Sequence, residues 1–452
     1  MSKEKHAYMQ RRLGLFPATN IVVANMIGAG IFTTSGLLMA DLNNPLLLLI
    51  LWVIGGAIAL SGALSYGAVG AMMPEAGGEY VFLSRMYHPM LGFLSGWVSF
   101  IVGFSAPIAA AAIGFSAYFY RALPFLFEVD GFSLDFMKKF YSILIILVFT
   151  AVHLRGIDFG AKVQNVLTVL KVALVVGLIL LGFSIGQGNM DHLAAGDTFN
   201  FDLSGWKTVG LSLMWIMFAY SGWNASVYIG AEIKDPVKNL PRSLLLGTGV
   251  VVLLYFLLNL LFIYAIPPEE MKGVISVGGM AAGNLFGVLS GKFFSLMIAF
   301  ALFSSISAFI ILGPRVYYAM AKDGYFFSFA SKIHPKFGVP WLSVIFQGAI
   351  SIVILLSGTF DQILTYMGFS LAIFPVLVVF GLIRMRMSGK ITQSLPGYPV
   401  TAVVYIVAGL AMMFFALMER PVESGVAIAT VALGVPAYFL FKKFVKERQS
   451  SG

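Results

Sequence analysis

Lys171 is the one cation set inside a long apolar run, Asn165-Val166-Leu167-Thr168-Val169-Leu170-Lys171-Val172-Ala173-Leu174. Eleven residues separate it from Gly160, about 16 Å at the helical rise of 1.5 Å per residue. In a hydrocarbon layer about 30 Å thick that is close to the midplane. A lysine stem is too short to reach either interface from there, so the ammonium needs protein partners. An ionisable group at that depth points to function, and Lys171 is a candidate proton carrier.

Two glycine-interrupted segments supply a complementary chemistry. The first reads Asn25-Met26-Ile27-Gly28-Ala29-Gly30-Ile31-Phe32, the second Phe218-Ala219-Tyr220-Ser221-Gly222-Trp223-Asn224. Unwinding at the first would expose the N–H groups of Gly28, Ala29 and Gly30 at the start of a half-helix, where backbone donors and the helix dipole favour a carboxylate. Freed carbonyls before that break, with those of Phe218 and Ala219, suit an ammonium group. Together they describe a site for the backbone part of an amino acid. Gly-x-Gly in a membrane helix also serves as a packing notch, but two breaks at matching positions favour the binding reading.

Other chemistry is missing from the sequence. There is no Cys, so no thiolate site and no disulfide-linked subunit can form. His153, His192 and His334 do not have the spacing of metal ligands. No phosphate-binding glycine motif, Ser/His/Asp order or carboxylate pair is evident. No catalysis, cofactor or metal is expected.

The elements that must position these groups are membrane helices. The 452 residues are 59% hydrophobic and 11% charged, with mean hydropathy +0.91, against roughly 45–50% and about 25% in soluble domains. This excludes a disordered chain, a nucleic-acid-binding domain and a disulfide-stapled module. Twelve apolar segments qualify as spans: 15–40, 45–71, 90–122, 139–154, 159–185, 205–232, 242–266, 285–318, 341–357, 361–383, 398–418 and 424–441. The glycine breaks fall in the first and sixth, and Lys171 in the fifth. Trp52, Trp97, Trp206 and Trp341 lie near span ends and read as interfacial anchors.

Basic residues test this topology. With both termini inside, the inner segments hold 21 of the 29 Lys and Arg, from Lys3, Lys5, Arg11 and Arg12 to Lys442, Lys443, Lys446 and Arg448. The outer segments hold seven, and Lys171 belongs to neither set. That bias places both termini in the cytoplasm. The inner clusters are topology signals and lipid contacts rather than nucleic-acid patches. Glu232, beside Lys234 and Asp235, reads as a cytoplasmic cap, and no acidic residue is read into the pocket.

These motifs, in order, resemble amino-acid permeases of the amino acid–polyamine–organocation superfamily, and are most similar to its prokaryotic L-type-like members. The resemblance runs over residues 12–390. It rests on Ile27 to Phe32, Pro74-Glu75-Ala76-Gly77-Gly78-Glu79-Tyr80, Phe218 to Asn224, Glu232, Asn239-Leu240-Pro241-Arg242, Arg315, Met320-Ala321-Lys322-Asp323-Gly324 and His334-Pro335. It implies an all-α membrane protein of the LeuT-like fold: residues 1–185 as tail and first five-helix repeat, 186–390 as its inverted counterpart, and 391–452 as two further helices.

The resemblance also implies roles. Backbone from Ile27, Gly28, Ala29, Gly30 and Ile31 would take the substrate carboxylate and, with that of Phe218, Ala219 and Ser221, its amine. Phe218 would be the lid, and Asn224 a polar residue tuning contact and gating. Lys171 would replace the cation of sodium-coupled relatives, with Ser305 the best-aligned partner among Ser304, Ser305 and Ser307. The expected function is sodium-independent transport of neutral amino acids by alternating access, through exchange or proton coupling, in a cell-membrane monomer or weak dimer. A polyamine or cationic amino-acid permease is the nearer alternative, and a membrane sensor or channel the more distant one.

Overall fold

The computed structural model describes residues 11–450 apart from 12, 76, 156, 197, 336, 338 and 392–395, and no side chains for 157–165, 315 and 443–450. Lys3, Lys5, Arg12, Lys336 and Ala76 therefore lie outside the described residues, as do the side chains of Arg315, Lys443, Lys446 and Arg448. The described chain is a bundle of apolar helices. Ten are long enough to cross a membrane, and Trp341–Ser357 is a shorter apolar one. The sixth span makes twelve, because its helix Leu203–Ala219 stops short. Among the described residues the only β-pairing is an isolated bridge between Leu13 and Ile233. There Leu13 N–H donates to Glu232 O at 2.9 Å and Lys234 N–H to Leu13 O at 2.8 Å.

Helix ends follow local chemistry. Asn44 caps Pro45–Met72 by accepting from Leu47 N–H, with Pro45 in the first turn. Ser133 caps Leu134–Leu154, and Asp202 caps Leu203–Ala219. Thr359 and Gln362 form a capping box on Phe360–Met387. Each cap satisfies backbone donors that a helix start leaves free. Large apolar side chains on the outer helices, such as Leu410, Phe414, Leu433 and Phe439, are exposed, as residues facing lipid are.

The seventh span, Pro236–Ala265, packs along the second, Pro45–Met72, and against the first. The eighth, Val288–Lys322, packs along the third. The third span carries a π-helical stretch at Ser99–Gly103 between Pro89–Val98 and Ser105–Ala122. Pro107 explains it: proline cannot donate to the carbonyl four residues back, that of Gly103, and its ring crowds that carbonyl.

One expectation needs correction. Trp52 is not an interfacial anchor. It is fully buried, with its ring edge-on to Tyr220 and Tyr255 at centroid distances of 5.7 and 5.5 Å. His153, in the last turn of Leu134–Leu154, is buried with Nε2 3.0 Å from the Ser307 hydroxyl.

Candidate functional site

The first span is two helices, Leu15–Met26 and Ala29–Leu42, interrupted at Ile27 and Gly28. Three side chains from other spans hold the interruption. Lys171, at the middle of the 29-residue helix Ile157–Ile185, is wholly buried, and its ammonium donates to the Ala24 carbonyl at 2.9 Å. The Ser305 hydroxyl donates to the Ile27 carbonyl at 3.4 Å, a long bond. Ser304 faces the fifth span instead, 3.4 Å from the Thr168 hydroxyl. The Tyr255 hydroxyl, from the seventh span, reaches the Met26 carbonyl and also that of Ala219 at 3.0 Å. One phenol thus touches the last carbonyl of both half-helices.

The glycines at the break differ. A Cβ on Gly28 would sit 3.4 Å from the Ser305 hydroxyl, an ordinary contact, and its backbone is extended. A Cβ on Gly30 would lie 2.4 Å from Ala219 Cα. Only glycine allows the two broken spans to approach that closely.

The sixth span breaks differently. Leu203–Ala219 ends in a turn, and the chain continues as 3-10 turns at Ala225–Tyr228 and Gly230–Glu232 rather than as a resumed α-helix. Gly222 holds the turn at φ +93°, where an added Cβ would lie only 2.9 Å from that of Asn25. A side chain there would be strained in conformation and in space.

Beside this break lies a cavity of about 110 Å³, room for several waters. Phe218, Ser221 and Asn224 line it, with Asn25 from just before the first break. Ile27, Gly28, Ala29, Gly30 and Ile31 are buried outside its wall, and Ala219 packs on Gly30. The third span adds Ser99 and Gly103 from its π-helical stretch and Phe104 just after it. The tenth adds Leu371 and Pro375, a pair in which proline leaves the Leu371 carbonyl without its helical donor.

Glu79 also lines the cavity, and sequence reasoning missed it. It opens the helix Glu79–Met86 between the second and third spans, after Gly77 and Gly78 at φ +118° and +53°. Its Oε1 accepts from the Tyr66 hydroxyl and the Asn224 amide, each at 2.9 Å. The expectation of a pocket without acidic residues is therefore corrected. An acid directly after two glycines at a helix start was the available signal, but Asn224 lies 145 residues away.

A family model of amino acid permeases matches residues 13–436. The chain is 28% identical over 444 residues to the serine/threonine exchanger SteT of Bacillus subtilis (strain 168), covering 96% of this chain and 98% of that protein. It is 27% identical over 436 residues to the large neutral amino acids transporter small subunit 2 of Mus musculus, covering 96% and 81%. The Asc-type amino acid transporter 1 of Mus musculus is 25% identical over 439 residues, with the same coverage. With its apolar helices and paired breaks, this multi-pass membrane chain belongs to the amino acid permease family.

Proposed function

We propose that the protein is a sodium-independent secondary transporter of neutral L-amino acids working by alternating access. The observation that carries this is the meeting of two interrupted spans at Tyr255, beside a mostly apolar cavity bordered by Phe218 and Ser221. Backbone donors at the start of Ala29–Leu42 would take the substrate carboxylate, and carbonyls at the two breaks its ammonium. Those carbonyls now accept from Tyr255, so the substrate amine would compete with that hydroxyl. Phe218 would close over the bound substrate, and Asn224 would tune the pocket through its bond to Glu79. Rocking of one group of helices against the other would then expose the site to the opposite side. The distribution of Lys and Arg supports a topology with both termini in the cytoplasm.

Lys171 would stand where sodium-coupled relatives hold a cation. Its complete burial and its bond to the carbonyl of Ala24, one turn before the break, support this. Without any Cys the chain cannot be joined to a subunit by a disulfide.

Thermal stabilisation of the purified protein by a panel of amino acids, followed by uptake into proteoliposomes, tests the reading. A ligand bound by the native state alone raises its stability. Small neutral amino acids should raise Tm and exchange across the vesicle wall without Na⁺, and a strict requirement for external Na⁺ would sink the Lys171 assignment. Glu79 in the cavity wall favours a second reading, a cationic amino acid or polyamine as substrate; stabilisation by those compounds alone would select it.

A further inference from the structure

Glu79 is the only acidic side chain among the described residues that is buried. It borders the cavity, so water entering there can reach it. Three neutral groups hold it: the Tyr66 hydroxyl from the second span, the Asn224 amide from beyond the sixth-span break, and the Ser95 hydroxyl from the third span. The titratable groups that act on it are the phenols of Tyr66, Tyr228 and Tyr405. Charged groups on the neighbouring elements are engaged elsewhere. Arg85 pairs with Glu75, Asp323 accepts from Tyr80, and Arg384 on the tenth span lies over the Tyr87 ring. Among the described residues no Lys, Arg or His forms an ion pair with Glu79.

A buried carboxylate without a counter-ion is costly, and its proton is the cheapest remedy. Burial accordingly pushes the Glu79 carboxyl up to about 7, although its three donors favour the charged form. The surroundings accommodate both states unequally. The hydroxyls of Tyr66 and Ser95 can turn from donating to accepting by rotating the O–H, whereas the Asn224 NH2 can only donate, and that residue accepts only if its whole amide turns over. Charge-assisted hydrogen bonds are about twice as strong as neutral ones. Protonation therefore falls hardest on the bond to Asn224, one of the contacts, with Gly77 N–H to the Tyr228 carbonyl and Ser243 to Ser226, that tie down the stretch of 3-10 turns.

We propose that Glu79 is the proton-binding group of the transport cavity, and that its protonation releases the chain segment following the sixth-span break. Proton binding and movement of that segment are then one event, and acid accelerates turnover. The assignment deepens the transporter reading above and rests on it for its functional consequence.

Counterflow of a neutral amino acid into preloaded proteoliposomes, at equal pH on both sides from about 8.5 down to about 5.5, tests the link. The wild-type rate should rise about fivefold with a midpoint near neutrality, the difference between a charged and a neutral hydrogen bond. Glu79→Gln, permanently neutral, should hold the acid-side rate throughout. Tyr66→Phe removes a donor that favours the carboxylate, so its midpoint should move to higher pH. A flat wild-type profile, a wild-type slope in Glu79→Gln, or an unmoved midpoint in Tyr66→Phe overturns the proposal. So does a cationic amino acid whose stabilisation is lost in Glu79→Gln, since the carboxylate would then be a substrate ligand. Infrared titration of the purified protein separates this from the transporter reading. A protonated-carboxyl band should fade through neutral pH in the wild type and be missing in Glu79→Gln. Absence of that band from the wild type overturns the proposal even if every amino acid is transported, and its presence upholds the proton site even if none is.

Discussion

The two interrupted spans are built to different tolerances. The first loses its helix for Ile27 and Gly28 only, resumes at Ala29, and is held by Lys171, Ser305 and Tyr255 from three other spans. The sixth does not resume: from Tyr220 to Glu232 the chain runs through a turn and two short 3-10 stretches. Its residues form cavity wall, whereas the first break meets the cavity through Asn25. A short interruption clamped on three sides makes a fixed platform, while a long stretch of poorer hydrogen bonds beside a cavity is where motion costs least. In the transporter proposed above, substrate recognition and movement would thereby be divided between two stretches of similar sequence character.

The largest effect should come from the contact that joins them. Gly30→Ala drives a methyl group onto the backbone of Ala219, so the protein should insert yet lose transport. Gly28→Ala, which meets only the Ser305 hydroxyl at ordinary distance, should keep transport within about threefold. Uptake normalised to the amount in the membrane compares them, and equal losses would show that the close approach is not what unites the breaks.

Next comes the clamp. Lys171→Met keeps most of the buried volume but leaves the Ala24 carbonyl without its donor, a loss of about 1–3 kcal/mol. Transport should fall at least tenfold, with a Tm drop smaller than a core truncation gives, as read by uptake and thermal melts. Near-normal transport would remove the cation from the mechanism.

The smallest effects should grade the remaining partners. Tyr255→Phe deletes one hydroxyl facing two carbonyls and should cost about 1 kcal/mol, or about fivefold in turnover. Ser305→Ala deletes a bond already stretched to 3.4 Å and should stay within about twofold. Reversed ranking would mean that the eighth span, not the seventh, carries the first break.

Features set by neighbouring residues were legible in the sequence. Gly-x-Gly and Ser-Gly-Trp-Asn mark both breaks, and a lone Lys171 in an apolar run announces burial and a partner. Features set by distant chain were not. Glu79 reads as a loop acid until Tyr66 and Asn224 are brought to it. Trp52 sits near a span end, but Tyr220 and Tyr255 enclose it. Gly28 and Gly30 look alike in sequence, and only the placement of Ala219 tells the roomy one from the crowded one. The third-span π-helical stretch lay between, because Pro107 signals a disturbance without saying which form it takes.

The backbone bridge between Leu13 and Ile233 ties the entry to the first span to the exit from the sixth. Two main-chain hydrogen bonds at 2.9 and 2.8 Å need no particular side chains, so they survive substitution that would erode a salt bridge. They act as a yoke. A pull on either broken span is transmitted to the other at that end. Evolution can then retune the pocket residue by residue while the two spans stay in harness.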